Sequence, residues 1–272
     1  MRRLRRFLYQ PKGRANETHA FIAGRSDGLY AINHASGCSH GCRYPCYAQM
    51  RQQTLHGRTY DDWLKPNVFI EAEKIVRKEL VRLFDARPEV RSSKVKDVEL
   101  CFTTDPYMYG NEVMRGVTND LIDVLVGNMI GVTVLTKGNL FDATNNGDPA
   151  DCDIKYGISL VTLSDLFSKE FEPGAALPKA RIAGLGMKHD EGFDTWVSIE
   201  PFPPTSLRTH SVEEILRAVP FVDKAIFGRW NYAGFKDQSW YEKGAADFER
   251  TCLELGIEGK VKNDIKDGAA HA

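Results

Sequence analysis

Nowhere in this sequence do about 18 apolar residues run together, so no membrane-spanning helix is expected. The opening stretch Met1-Arg2-Arg3-Leu4-Arg5-Arg6-Phe7-Leu8 lacks the apolar core and small-residue cleavage site of a secretory signal. It has the arginines of an organelle transit peptide but not the serines or the length. The plainer reading is a basic arm, with a cytoplasmic location expected. Basic charge is not in excess either. The 36 Lys and Arg are set against 37 Asp and Glu, for a net charge of -1. That speaks against a dedicated nucleic-acid binder. It leaves room for a local basic groove, for which Arg2, Arg3, Arg5, Arg6, Lys12 and Arg14 are available. The 6 cysteines are too few and too uneven for a disulfide scaffold. Internal repeats, low-complexity tracts and a convincing domain boundary are all missing.

What is present is an alternation of strand and helix patterns over 272 residues, with 42% hydrophobic and 27% charged side chains. Residues 1–27 read as a basic, irregular arm and residues 28–272 as one domain. Gly28–Ala35 alternates as a first strand. A helix is expected from Pro66, with Val68, Ile70, Ala72, Ile75, Val76, Leu80, Leu83 and Phe84 at helical spacing, ending near Arg87-Pro88. Val98–Thr103 reads as strand two, Glu112–Val126 as a helix and Val132–Thr136 as strand three. A short helix is expected after Asn139, then strand four at Lys155–Leu163 and a helix at Pro178–Lys188. Strand five, Thr195–Ile199, is stopped by Pro201 and by Pro203-Pro204. Ser211 and Glu214 fit a capping box. Ala225–Phe227 is strand six and Tyr241–Leu255 the last helix. Six such alternations argue for an α/β fold with parallel strands, as a barrel or a doubly wound sheet.

Polar residues gather where these strands end. Cys38, Cys42 and Cys46 follow strand one. Thr103, Thr104 and Asp105 end strand two, and Thr136 and Lys137 end strand three. Ser198 and Glu200 end strand five, and Arg229 and Asn231 follow strand six. In β/α barrels this end carries the chemistry. Glu99, Cys101 and Thr103 share one face of strand two by alternation, and Trp196, Ser198 and Glu200 one face of strand five. A polar face on strands expected to be covered on both sides suits a ligand-filled interior; the bland reading is a set of hydrogen-bonded core residues.

Three of the cysteines fall within nine residues: Cys38-Ser39-His40-Gly41-Cys42-Arg43-Tyr44-Pro45-Cys46. Thiolates so clustered suit an iron–sulfur centre, which normally takes four. Three leave one iron open. Structural zinc, with His40 or His34 as fourth ligand, is the rival reading. The corresponding alternative function is a non-catalytic binding module, stapled by zinc or by a cluster.

Gly37 to Tyr47 resembles the cluster loop of radical S-adenosylmethionine enzymes, whose usual pattern is Cys-x3-Cys-x-aromatic-Cys. Here Pro45 stands before the third cysteine, giving Cys-x3-Cys-x3-Cys. Thr104-Asp105-Pro106-Tyr107, Thr136-Lys137, Glu172-Pro173 with Lys179-Ala180-Arg181-Ile182, and Trp196–Pro201 are similar in order to the spore photoproduct lyase branch. The resemblance implies a partial (β/α)6 TIM-like barrel with Cys38, Cys42 and Cys46 holding a 4Fe-4S cluster. Its implied cofactor is S-adenosylmethionine, cleaved reductively to a deoxyadenosyl radical with electrons from a reductant such as flavodoxin or ferredoxin. It implies cofactor contacts at Tyr44, Thr103, Thr104, Asp105, Ser159, Arg181, Ser198 and Glu200, with Lys137 facing cofactor or substrate. That branch repairs DNA and uses a further cysteine as hydrogen donor, for which Cys101 is the candidate. Nucleic acid is a candidate substrate, and Trp230, Tyr232, Trp240 and Tyr241 are candidate base-stacking residues or packing for the last helix.

Overall fold

The computed structural model of the chain describes residues 22–24, 30–84, 95–141, 143–144, 148–230 and 237–266. The basic residues of the arm, together with Asn231 and Tyr232, lie outside them. The main sheet contains β1 (Ile22–Gly24), β2 (Tyr30–Ile32), β5 (Asp97–Leu100), β6 (Gly131–Thr136), β7 (Ile154–Ser159), β8 (Asp194–Phe202), β9 (Lys224–Arg229) and β10 (Glu258–Val261), in that spatial order. Only the β1–β2 pair is antiparallel. Parallel neighbours need crossovers, and the helices supply them. These include α3 (Ala72–Phe84), α4 (Glu112–Val126), α5 (Asp165–Phe171), α6 (Pro178–Asp190), α7 (Val212–Arg217) and α8 (Gln238–Leu255). The six expected strands are all present, and β10 adds a seventh to the parallel set. This is the α/β partial barrel expected from the sequence.

Helix α4 shows why the pattern was readable. Met114, Val117, Thr118, Leu121, Ile122 and Leu125 are buried at helical spacing, and the Asn111 side chain caps the start by accepting from Met114 N–H. The capping box at Ser211 and Glu214 also forms, with both reciprocal bonds.

Several boundaries differ from expectation. The helix expected from Pro66 begins at Ala72, because Asn67–Val68 (β4) pairs with Ala35–Ser36 (β3) beside the cysteine loop. Ile70, read as part of the apolar stripe, is exposed. Strand two stops at Leu100, where Cys101 turns to a positive φ of 57°. Cys101 and Thr103 therefore do not continue the face of Glu99. The described residues after Asn139 hold no helix before the 3-10 turn Pro149–Asp151. Strand four ends at Ser159, and Ser164 caps α5, which periodicity had not shown. Pro201 does not stop strand five, which runs to Phe202. Ile22–Gly24, read as part of the irregular arm, is a strand because it hydrogen-bonds to Tyr30–Ile32. Short helices α1 (Tyr47–His56) and α2 (Tyr60–Trp63), the strand β10 and α9 (Asn263–Lys266) had not been expected.

One face of the sheet is apolar. Val98, Val132, Val134, Ile154, Ile158, Val197, Ile199, Ala225 and Phe227 are buried there with the helices. The opposite face is polar, by the register of the strands. At its N-terminal end Asp97 accepts from Thr133 Oγ1 at 2.9 Å and Lys155 Nζ at 2.8 Å. Midway, the Trp196 indole lies over Gly157. At the C-terminal end Ser159 and Ser198 stand side by side.

A Cβ at Gly157 would lie 2.3 Å from the Trp196 ring. Gly157→Ala is therefore expected to cost about 1–3 kcal/mol. It should appear as a lower urea midpoint with an unchanged slope. An unchanged midpoint would mean that the indole does not fill that space.

Candidate functional site

The cysteine loop connects β3 to α1 and is held from three sides. Cys38 N–H donates to the Trp63 carbonyl at 2.9 Å. Arg43 N–H donates to the Phe171 carbonyl at 2.8 Å, and Gly174 N–H to the His40 carbonyl at 2.8 Å. Gly174 is needed there, since a Cβ would sit 2.2 Å from the Ser39 carbonyl oxygen. Cys38, Cys42 and Cys46 are free and half-buried. Burial pushes the Cys38 thiol up, helped by Asp105, Cys42 and Cys46. Burial also pushes Cys42 up to about 12, with Lys137 opposing and Glu172 and Cys46 adding. Among the described residues, no three His, Cys, Asp or Glu side chains converge closely enough to hold a single metal ion.

Asp105 ties the loop to the sheet. Its carboxylate accepts from Tyr107 N–H at 2.9 Å, Thr136 Oγ1 at 2.6 Å and Lys137 N–H at 2.8 Å. His40 Nδ1 faces its second oxygen at 3.4 Å. Tyr109 N–H donates to His40 Nε2 at 3.1 Å, which puts the ring proton on Nδ1. Both nitrogens of His40 are therefore engaged. His34 is equally committed. Thr118 gives its own proton to the Pro106 carbonyl, so His34 Nε2–H donates to Thr118 Oγ1 at 2.8 Å. Nδ1 is then left to accept from the Cys101 thiol at 3.5 Å.

On the other side stands Glu172. Tyr44 OH donates to Oε1 at 2.5 Å, and Arg181 Nη2 donates to Oε2 at 2.5 Å. Arg181 is fully buried, and also donates to the Ala176 carbonyl at 2.7 Å and the Ser159 carbonyl at 2.9 Å. Burial alone would raise the Glu172 carboxyl, but Arg181 and Lys137 outweigh it and hold it low. Lys137 stays charged for the converse reason: burial works against it, and Cys42 and Glu172 overcome burial. Its ammonium lies 5.7 Å from the Tyr44 ring centre, and Trp230 meets that ring edge-on at 5.2 Å.

The structure redirects four of the expected cofactor contacts. Asp105 is saturated by its own chain. The Arg181 guanidinium is spent on Glu172 and two carbonyls. Thr103 Oγ1 donates to Asn33 Oδ1 at 2.8 Å. Glu200 pairs with Lys262 at 2.5 Å. Tyr44, Lys137, Ser159, Ser198 and Thr104 remain at the C-terminal mouth. Three buried polar atoms there have no partner among the described residues: Ser39 Oγ, Thr104 Oγ1 and Trp230 Nε1. Cys101 is buried behind the loop with Ala35, Met108 and Met114, and Cys38 packs against this group. Of the aromatic candidates near the C-terminus, Trp240 stacks on Phe202 and Tyr241 donates to the Phe202 carbonyl, so both pack the last helix. Sequence reasoning missed His40 as an anchor and Glu172 as a hub.

No protein-family model matches the chain. It is 26% identical over 180 residues to uncharacterized proteins of Mycobacterium tuberculosis and Mycobacterium bovis, covering 64% of this chain. It spans about half (50%) of the length of those curated relatives. Among solved structures, a mutant spore photoproduct lyase with bound AdoMet and dinucleoside spore photoproduct superposes with a TM-score of 0.64 at 12% identity, covering 88% of this chain and 78% of that one. The fold is that of spore photoproduct lyase. SuiB of Streptococcus suis, bound to S-adenosylmethionine, matches at 0.51 and 14% identity over 86% of this chain and 48% of its own. The spore photoproduct lyase fold is the one the cysteine loop resembled in sequence.

The two histidines make stability depend on pH. Burial lowers His34 from the ordinary 6.5 to about 3, against a backbone hydrogen bond at Ile32. Burial also lowers His40, with Asp105 opposing. Both stay neutral when folded, while the unfolded chain takes up protons below 6.5. Their contribution is complete above that value and is lost as pH falls towards the folded values. For the metal-free protein, urea stability should drop on going from about pH 7.5 to about pH 5, by at most about 1.4 kcal/mol per pH unit for each histidine. His34→Gln should flatten the drop; an equally steep profile in that variant would contradict a buried neutral His34.

Proposed function

We propose that the chain is an iron–sulfur enzyme that cleaves S-adenosylmethionine reductively and uses the product radical to take hydrogen from a substrate. The supporting observation is one pinned loop with three free cysteines at the C-terminal mouth of a sheet with the spore photoproduct lyase fold. Cys38, Cys42 and Cys46 would hold a four-iron, four-sulfur cluster with one iron lacking a protein ligand. When bound, the cluster with S-adenosylmethionine supplies the one-electron cleavage of a sulfonium C–S bond, drawing the electron from a low-potential carrier and giving methionine and a deoxyadenosyl radical.

The donor set fits such a group. Three free thiols lie in one short loop, and the Lys137 cation beside Cys42 offsets thiolate charge. Tyr44 and Trp230 wall the site against water. Ser39 Oγ, Thr104 Oγ1 and Trp230 Nε1, buried without partners among the described residues, are the polar atoms best placed to meet a ligand. A structural zinc needs a fourth protein ligand. His34 and His40 each have both ring nitrogens engaged, which disfavours the stapled-module reading.

Cys101 is the candidate hydrogen donor. Its left-handed backbone, rare for a residue with a side chain, sits at a strand end beside the loop. Burial pushes its thiol up to about 12, so the S–H bond needed for donation is intact at neutral pH. The S–H bond would break and a C–H bond form on a substrate radical, leaving a thiyl at Sγ.

For the substrate, the rim of the loop favours a nucleic-acid base. Tyr47, Phe102 and Tyr109 are exposed there, with Tyr47 and Phe102 in ring contact at 6.0 Å and Arg51 donating to the Tyr47 hydroxyl at 3.0 Å. Aromatic rings beside arginines are a base-stacking surface.

Anaerobic protein reconstituted with iron and sulfide should release deoxyadenosine when given dithionite and S-adenosylmethionine. Cys42→Ala should lose both iron and deoxyadenosine. Cys101→Ala should keep both and lose only substrate turnover. A wild-type protein that holds zinc and makes no deoxyadenosine would sink the reading. Labelled single-stranded DNA should bind at low salt, and Phe102→Ala should weaken it about tenfold; no binding at low salt would remove nucleic acid as substrate.

A further inference from the structure

Glu172 lies 128 residues from Tyr44 in sequence, yet it touches the middle of the cysteine loop. Its two oxygens serve different elements. Oε1 takes the Tyr44 hydroxyl, and Oε2 takes Arg181, whose remaining donors grip the Ser159 carbonyl at the end of β7 and the Ala176 carbonyl before α6. The result is a continuous line of hydrogen bonds from the sheet to the residue two places after Cys42.

Backbone bonds bracket that line on both sides. Arg43 N–H reaches Phe171, just before Glu172, and His40 receives Gly174 N–H, just after it. The Tyr44 ring is fixed by Trp230 on one edge and by Lys137 above. Its hydroxyl is its single polar handle, and Glu172 takes it. A buried ion pair is a weak stabiliser, because desolvation consumes most of the attraction. Its value here is geometric.

We propose that Glu172 is a positioning residue for the cysteine loop, acting through the Tyr44 hydroxyl on the segment that carries Cys42. The proposal rests on the reading of this loop as the cluster site, but its first test does not. In metal-free protein, amide exchange at Arg43 and Gly174 reports the loop directly. Tyr44→Phe and Glu172→Gln should each speed it about tenfold, the loss expected for a hydrogen bond to a charged group. The double variant should be no faster than the quicker single one, because the two act through one bond. Lys188→Met is the control. Lys188 sits at the far end of α6 from Arg181, buried and bonded to the Ala143 carbonyl at 2.6 Å. It should lower the melting temperature and leave loop exchange unchanged. If Glu172→Gln does not fold, Tyr44→Phe carries the test.

In the reconstituted protein, a chelator should strip the cluster about tenfold faster from Tyr44→Phe than from wild type. Wild-type exchange rates at Arg43 and Gly174 in Tyr44→Phe would overturn the proposal. So would a Lys188→Met variant whose loop loosens as much. A wild-type protein that takes up no cluster would instead refute the proposed enzyme, and the exchange result would still decide the role of Glu172.

Discussion

The Asp105 carboxylate is the point on which the site's geometry turns. It collects the Thr136 hydroxyl, two backbone N–H groups and the His40 ring within one buried spot. A carboxylate with this many donors has little freedom to move, and its four donors come from three pieces of chain. The end of β6, the turn after β5 and the cysteine loop are fixed to one another through it. Without that carboxylate, His40 would lose its orienting partner, and the loop one of its holds.

Glu172 does the same work from the opposite flank. The cysteine loop therefore lies between two buried carboxylates, each neutralised by a different device. Asp105 uses neutral donors and an uncharged imidazole. Glu172 uses the cations of Arg181 and Lys137. The half-buried thiols sit between these fixed groups, next to polar atoms that have no partner among the described residues. An arrangement that is rigid behind and unsatisfied in front suits a binding mouth, since the unsatisfied groups cost stability until a ligand meets them.

Much of the fold was legible because it depends on local periodicity. The α4 boundaries and the six strands follow from apolar spacing alone, and the capping box from two residues three apart. Periodicity failed where tertiary pairing overrode it. Val68 looked helical because it is apolar, but its partner is Ala35 across the β3–β4 ladder. Cys101 looked like a strand residue, and its backbone turns left instead. In the site, the cysteines announced themselves by density. Asp105 and Arg181 were read as cofactor contacts, and their partners within the chain could not be seen. Whether a charged side chain faces a ligand or another part of the chain depends on contacts 31 residues away for Thr136 and 128 for Tyr44. No spacing rule carries that information.

The long reach from Tyr44 to Glu172 has a consequence for how the molecule is built. The loop is made before residues 171–181, and its hold on α5 and α6 exists only after they have emerged and packed. Until then nothing on that flank orders the chain around Cys42, and closing so long a loop is slow. The three thiols thus leave the ribosome well before the residues that fix them in place. For that interval the growing chain carries unorganised cysteines, open to oxidation until residues 171–181 close over them.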